Sequence, residues 1–367
     1  MIGRGIRTAL RWFGTGLLFV LVALCFAPTV VPPFLDRTYY RGPASDHFDG
    51  ARFFNPDPEP PRRGRRASFF GRWARSGERA TWPDHVPVQP TVPPRRVDGG
   101  AMQVTWIGHA SVLVQTEGLN ILTDPTWSER ASPFSFVGPR RVRAPGVRFE
   151  DLPKIDLVLV SHNHYDHMDL PTLRRLWERD RPLIVTSLGN DTIIRGGGAE
   201  AVARDWGGRV RVRDGVEVVV LRNHHWGSRW FTDRNRALWS AFAVRLPGGN
   251  LFFAGDTGWG DGSWVREATA QGPYRLAIIP IGAYEPRDVM QSHHVNPEEA
   301  MAIFETLRPQ RAIGMHWGTF QLTFEPIDQP RERLAALRRA RGLAPDRFVA
   351  VEAGQGFSLP APAPPER

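Results

Sequence analysis

The sequence predicts an α+β fold, a β-sandwich carrying helices on its outside. Many short, β-branched apolar runs are interrupted by only a few helical stretches. No internal repeat of strand units signals a solenoid. The chain has 367 residues, 41% of them hydrophobic and 11% aromatic, enough to bury a sizeable core.

The N-terminus reads as residues 1–35, a membrane anchor or signal segment. Arg4, Arg7 and Arg11 precede an uncharged run from Trp12 to Ala27, which continues to Leu35. Sixteen apolar-leaning residues fall between a signal-peptide core and a membrane helix. Pro28 disfavours cleavage after Ala27, and Leu24 before Cys25 rules out a lipobox. The expectation is an uncleaved anchor, with a cleaved signal as the alternative. Positive charge ahead of the run puts the N-terminus inside and the rest of the chain outside the cytoplasm. Arg37 and Arg41 beyond it argue the other way.

Residues 36–100 form a Pro/Arg-rich arm. Prolines recur from 28 to 94 at a density that forbids long helices and central strands. Phe53, Phe54, Phe69, Phe70, Trp73 and Trp82 are interleaved with them. A disordered linker carries fewer aromatics, so the arm is expected to pack on the following domain or dip into lipid. The first hundred residues hold 15 Arg against 8 Asp plus Glu, so +7 of the net +9 lies there. The cluster Arg62-Arg63-Gly64-Arg65-Arg66 suits anionic lipid headgroups, with nucleic acid as the competing partner and a solvated arm as the plain alternative.

Residues 101–360 read as one domain. The run Ile155-Asp156-Leu157-Val158-Leu159-Val160 is a buried strand, followed by His162-Asn163-His164-Tyr165-Asp166-His167. Four candidate metal ligands in six residues sit on a strand-end loop, where a rigid scaffold places functional groups. Imidazoles and carboxylates suit zinc and similar divalent ions. The pattern recurs. His224 and His225 follow the strand Val216–Leu221, Asp256 follows Leu251–Gly255, and His316 follows Ala312–Met315. The only cysteine, Cys25, lies in the N-terminal run, which leaves no cysteine nucleophile in the domain. Helices are expected at Leu170–Arg179, Pro297–Leu307 and Pro330–Arg341. Asn296 before Pro297, with Glu298 and Glu299 in the first turn, is a strong helix start.

Longer pieces carry a resemblance. They are Thr105–Ser111, Leu122–Pro125, Gly138–Arg141, Ser161–Asp169, His225-Trp226, Gly255–Gly258, Pro280–Arg287 and His316–Phe320. In this order they resemble the metallo-β-lactamase superfamily, and within it the N-acyl-phosphatidylethanolamine-hydrolysing phospholipase D group. Gly282–Arg287 and His316–Phe320 are specific to that group, whereas the superfamily at large shares only the metal cluster.

The resemblance implies a four-layer αββα sandwich with two Zn2+ at the strand ends. His162, His164 and His225 hold the first ion; Asp166, His167 and His316 the second; Asp256 bridges them. The His-Trp pair points to His225 over His224. Asp166, Asp256 and His294 are the expected catalytic residues, and Tyr165 and His294 the expected substrate contacts. Asp124 orients a ligating histidine, and His109 is second to the ligands. A water shared by two divalent ions loses a proton near neutral pH, and the ions polarise a phosphoryl oxygen. The implied activity is phosphodiester hydrolysis of a phospholipid-like substrate at a membrane surface. A lactonase on the same scaffold is the alternative, and a non-enzymatic metal- or nucleic-acid-binding module the third reading. Asp288-Val289-Met290 departs from the group, which usually has Trp-Phe before the methionine. That weakens the inference to the acyl-ethanolamine substrate and leaves the metal chemistry untouched.

Overall fold

The computed structural model describes residues 2–35, 37–57, 71–73, 77–230 and 232–362. Its strands are β1 (Met102–Gly108), β2 (Ser111–Thr116), β3 (Leu119–Thr123), β4 (Leu157–Val160), β5 (Leu183–Ser187), β6 (Val202–Arg204) and β7 (Arg209–Arg213). They continue as β8 (Val216–Leu221), β9 (Ala241–Arg245), β10 (Asn250–Phe253), β11 (Tyr274–Pro280), β12 (Arg311–Met315), β13 (Phe348–Val349) and β14 (Gly356–Leu359). Two seven-stranded sheets result, ordered β14-β1-β2-β3-β4-β5-β6 and β13-β12-β11-β10-β9-β8-β7. Each contains an antiparallel meander, β1-β2-β3 or β8-β9-β10, that continues into parallel strands.

Period-two alternation explains why the strands read as continuous apolar runs. In β4, Leu157 and Leu159 enter the core between the sheets. Val158 and Val160 enter a second core, shared with Leu173 and Leu176 of helix α2 (Leu170–Asp180) and with Ile193 and Ile194 of α3 (Asn190–Gly196). Both faces are covered, so neither is polar. On the second sheet lie α4 (Ser263–Ala268), α6 (Pro297–Leu307) and α7 (Gln329–Ala340), with the short α5 (Arg287–Met290) between. The four-layer order αββα follows.

The long helices fall within one residue of their expected bounds. At α6 the Asn296 side chain accepts from Glu299 N, and Glu299 reaches back to Asn296 N, a complete capping box. The short α3, α4 and α5 escape a reading by periodicity, because fewer than two turns do not establish a period.

The N-terminal expectation needs correction. Residues Ile2–Leu35 form helix α1, with Trp12, Phe13 and Phe19 exposed. Yet no helix among the described residues is long and apolar enough to cross a membrane. The helix also continues through Pro28, Pro32 and Pro33, where the proline density was expected to stop it.

The described part of the arm packs on the domain. Phe48 and Phe53, 2% and 1% exposed, form a small core with Leu238 and Trp239. Burying each phenylalanine contributes on the order of 2 kcal/mol, enough to hold this stretch in place. The Arg62–Arg66 cluster, Phe69 and Phe70 lie outside the described residues.

Asn296→Ala should lower unfolding stability by about 1 kcal/mol, read as a shift in denaturant midpoint with unchanged slope. An unchanged midpoint would mean that the capping box adds nothing to α6.

Candidate metal centre

The site is built just beyond the C-terminal ends of β4, β8, β10 and β12. These strands end together, so residues far apart in sequence meet there. His162, His164 and His225 form one ligand-capable group; His109, Asp166, His167 and His316 form a second; His225, Asp256 and His294 form a third. Within each group the ligand atoms lie within 4.8 Å of one another.

Asp256 is the meeting point. Its Oδ2 lies 3.0 Å from His167 Nε2 and 3.0 Å from His316 Nε2. It lies 3.9 Å from His225 Nε2 and from His294 Nδ1. Asp166 Oδ2 sits 2.8 Å from His109 Nε2, 3.3 Å from His316 Nε2 and 3.4 Å from His167 Nε2. His164 Nδ1 is 2.8 Å from His162 Nε2 and 3.4 Å from His225 Nε2.

The outer ring nitrogens fix which inner ones face the centre. His162 Nδ1 is 2.9 Å from Ser161 Oγ, which itself donates to Asp124 Oδ2. His167 Nδ1 donates to Asp124 Oδ2 at 2.6 Å, and His225 Nδ1 donates to the His293 carbonyl at 2.9 Å. In each ring the proton is drawn outward and Nε2 is left to face inward, the tautomer a metal requires. Asp124 thus has the orienting contact that the sequence suggested.

Backbone strain contributes. His109, Asp124 and His316 are non-glycine residues with φ of 52°, 31° and 62°. Such conformations cost on the order of 1–3 kcal/mol and persist only where neighbours over-determine them. At His109, the N–H donates to Thr319 Oγ1 at 2.9 Å, and the carbonyl accepts from Trp106 Nε1 at 2.9 Å and His316 N at 3.0 Å. The His316–Phe320 piece therefore holds His109 against Asp166. The Gly282–Arg287 piece does the same for His294, since Arg287 donates to the His294 carbonyl at 2.8 Å and pairs with Glu299 at 2.9 Å.

The electrostatics favour a cation. Burial opposes ionisation of Asp166 and Asp256, but His167 and its neighbours outweigh it and hold both carboxyls well below their usual range. Burial likewise opposes charge on His167 and His316. Asp256 and Asp166 outweigh it, holding His167 well above its ordinary value and His316 at about 9. Burial drives His162 and His225 well down, His164 to about 3 and His294 to about 4. Buried and without a hydrogen-bond partner at the centre are Asp256 Oδ1 and His294 Nδ1. Two buried carboxylates ringed by mostly neutral imidazoles, with inward-facing atoms left over, fit divalent metal ions.

The structure brings His162, His164, Asp166, His167, His225, Asp256, His294 and His316 together. It separates the histidine pair: His225 joins the cluster, while His224 Nδ1 pairs with Asp57 Oδ2 at 2.6 Å. Tyr165 turns away. Its hydroxyl donates to the Arg229 carbonyl at 2.7 Å, and its ring lines a cleft of about 430 Å³ with Arg37, Arg130 and Arg229. Three participants were undervalued in the sequence. His109, 1% exposed, stands among the ligand-capable groups, and the strand-end Gly108-His109 was its only signal. Asn55 and Asp57 of the arm reach the histidine pair, with no local signal at all. Asp288, at the departure from the group's pattern, pairs with Arg72 at 3.1 Å.

Metal uptake must displace the protons that Asp166 and Asp256 hold on His167 and His316. Since both imidazoles are raised, the proton is present at neutral pH and is lost only as pH rises towards about 9 for His316. Zinc affinity should therefore climb with pH from about 6 to about 8, with proton release seen calorimetrically in buffers of different ionisation heat. Affinity independent of pH, without proton release, would mean these rings are neutral before metal arrives.

Comparison with known proteins agrees with this geometry. Residues 119–317 match the Beta-lactamase superfamily domain. The chain is 40% identical over 263 residues to N-acyl-phosphatidylethanolamine-hydrolyzing phospholipase D 1 of Caenorhabditis elegans, covering 68% of this chain and 74% of that protein. It is 29% identical over 244 residues to a UPF0173 metal-dependent hydrolase of Pyrobaculum neutrophilum, covering 65% of this chain and 95% of that one. In fold it is similar to an isothiocyanate hydrolase from Delia radicum gut bacteria, with TM-score 0.57 and 19% identity over 71% of this chain and all of the other. A metal-dependent hydrolase among these relatives agrees with a buried His/Asp cluster able to hold metal at the strand ends. The chain belongs to the metallo-β-lactamase superfamily as a metal-dependent hydrolase, within the group of N-acyl-phosphatidylethanolamine-hydrolysing phospholipases D.

Proposed function

We propose that this protein is a dinuclear zinc phosphodiesterase of the phospholipase D type, acting on N-acyl-phosphatidylethanolamine-like lipids. The observation that carries the reading is the convergence of two ligand groups on Asp256 Oδ2, at 3.0 Å from His167 and His316 and 3.9 Å from His225. In this reading His162, His164 and His225 hold one ion, Asp166, His167 and His316 the other, and Asp256 serves both. Two divalent ions so held supply Lewis acidity for a phosphoryl oxygen and acidify water.

The chain's own groups do the rest. Asp166 and Asp256 keep negative charge at the centre, where the ions would be held. His109 donates to Asp166 and steadies it. His294, buried and held at about 4, is neutral near pH 7 and faces the centre with Nδ1 unpartnered. It is placed to hold a phosphate or leaving-group oxygen, and Arg287 keeps its backbone in position. Water oxygen forms the new bond to phosphorus, the bond to the amide-alcohol oxygen breaks, and that oxygen takes up a proton. The products are a phosphatidic-acid-like lipid and a free amide alcohol. The pieces Gly282–Arg287 and His316–Phe320, together with 40% identity to the nematode phospholipase D, support this substrate over others that the scaffold accommodates.

A membrane surface is the proposed partner. Phe134, Phe136 and Val137 are 45%, 78% and 51% exposed on one loop, and Arg130 and Arg140 lie within the same segment. Apolar tips among arginines suit an anionic lipid interface. Phe134→Ser with Phe136→Ser should reduce co-sedimentation with phosphatidylserine-containing vesicles several-fold and leave hydrolysis of a short-chain, monomeric phosphodiester unchanged. Undiminished vesicle binding would remove this loop from the interface.

Reaction in oxygen-18 water should label the phosphate product and leave the alcohol unlabelled; label in the alcohol would mean attack at carbon or at an acyl centre. At saturating zinc, His225→Ala should abolish turnover, whereas His224→Ala should keep a substantial part of it. The reverse pattern would overturn the ligand assignment.

A further inference from the structure

We propose that Asn55 and Asp57 of the N-terminal arm are positioning residues of the metal centre, holding Arg222–His225 so that the His225 imidazole meets its ion. The observation is a set of contacts that cross more than 160 residues of sequence. Asn55 Nδ2 donates to the His225 carbonyl at 2.9 Å, while Asn55 Oδ1 accepts from Trp239 Nε1 at 3.0 Å. Asp57 Oδ2 pairs with His224 Nδ1 at 2.6 Å, and Asp57 Oδ1 accepts from Arg222 Nη2 at 2.6 Å. Three of four consecutive residues, ending on a candidate ligand, are thus gripped by two arm side chains.

The stretch needs such a grip. Strand β8 ends at Leu221, so ladder pairing fixes nothing beyond it. From one side the β10 loop secures it: Asn223 Nδ2 donates to the Ala254 and Asp256 carbonyls at 2.9 and 2.8 Å, and His224 N donates to Thr257 Oγ1 at 3.0 Å. The arm secures it from the other. The arm is itself fixed by buried Phe48 and Phe53 and by Phe53 N donating to the Asn235 carbonyl at 2.8 Å. The domain also leaves room for it. Gly260 has φ +58°, and a Cβ there would stand 2.2 Å from Asp57 Oδ2 and 2.8 Å from His224 Nδ1. Asp57 is 6% exposed, so its carboxylate is enclosed by the domain it clamps.

Ligand geometry is sensitive to displacements well below 1 Å, and removing a group that orients a ligand typically weakens metal binding about 10–100-fold. A residue that only braced the fold would lower stability and leave the ions alone.

The proposal rests on His225 being a metal ligand and is independent of the substrate. Its test is a zinc titration of the full chain against a competing chelator, with cobalt absorption as a second readout. Asn55→Ala and Asp57→Asn should each weaken one of two ions by about 10–100-fold, leave the other unchanged, and alter the cobalt spectrum of the weakened site. Asp57→Asn is isosteric and gives the answer if Asn55→Ala fails to fold. Wild-type affinity for both ions and an unaltered cobalt spectrum in the folded variants would overturn the clamp. His225→Ala separates the two levels. If it loses an ion while the arm variants do not, only the clamp falls. If it keeps both ions at wild-type affinity, the ligand assignment falls and the clamp falls with it.

Discussion

Asp256 and Asp166 are two carboxylates enclosed at one end of a sandwich, 1% and 9% exposed. Burying charge without compensation costs several kcal/mol per ion, more than any single packing interaction returns. Everything around them compensates that charge. Asp256 and Asp166, 3.0–3.4 Å from their Nε2 atoms, favour protonation of His167 and His316 against their own burial. Divalent ions perform the same compensation with more charge in less space. Ions held there would tie the stability of this end of the fold to its chemistry.

The scaffold makes that arrangement possible by geometry. Two sheets bring the ends of β4, β8, β10 and β12 to one edge, and both faces of the first sheet are sealed by apolar side chains. Regular pairing stops at that edge, so the functional residues sit on backbone that no ladder holds. A surrounding layer of contacts replaces the ladder: Asp124 on His167, Ser161 on His162, the His293 carbonyl on His225, Thr319 on His109 and Arg287 on His294. The pieces Gly282–Arg287 and His316–Phe320 belong to this layer as well as to the centre. They fix His109 and His294, the two polar groups that distinguish this site from a bare ligand set.

The fold class was legible in the sequence itself, and so were the candidate ligands that the structure brings together. Period-two alternation in a run covered on both sides leaves only apolar residues, and a ligand placed directly after such a run is visible locally, as at His162 and Asp256. The Asn296 capping box was legible because its partners are three residues apart. What only the tertiary structure decided depends on contacts between distant residues. It gave the physical ground for His225 over His224, which the sequence ordered only through the resemblance carried by His225-Trp226, since adjacent residues on a loop point apart. It turned Tyr165 from the cluster towards Arg229. It placed Asn55 and Asp57 against the histidine pair across more than 160 residues. A proline-rich arm carries no period that reveals its partner, because its hydrogen bonds go to another part of the chain and not to itself.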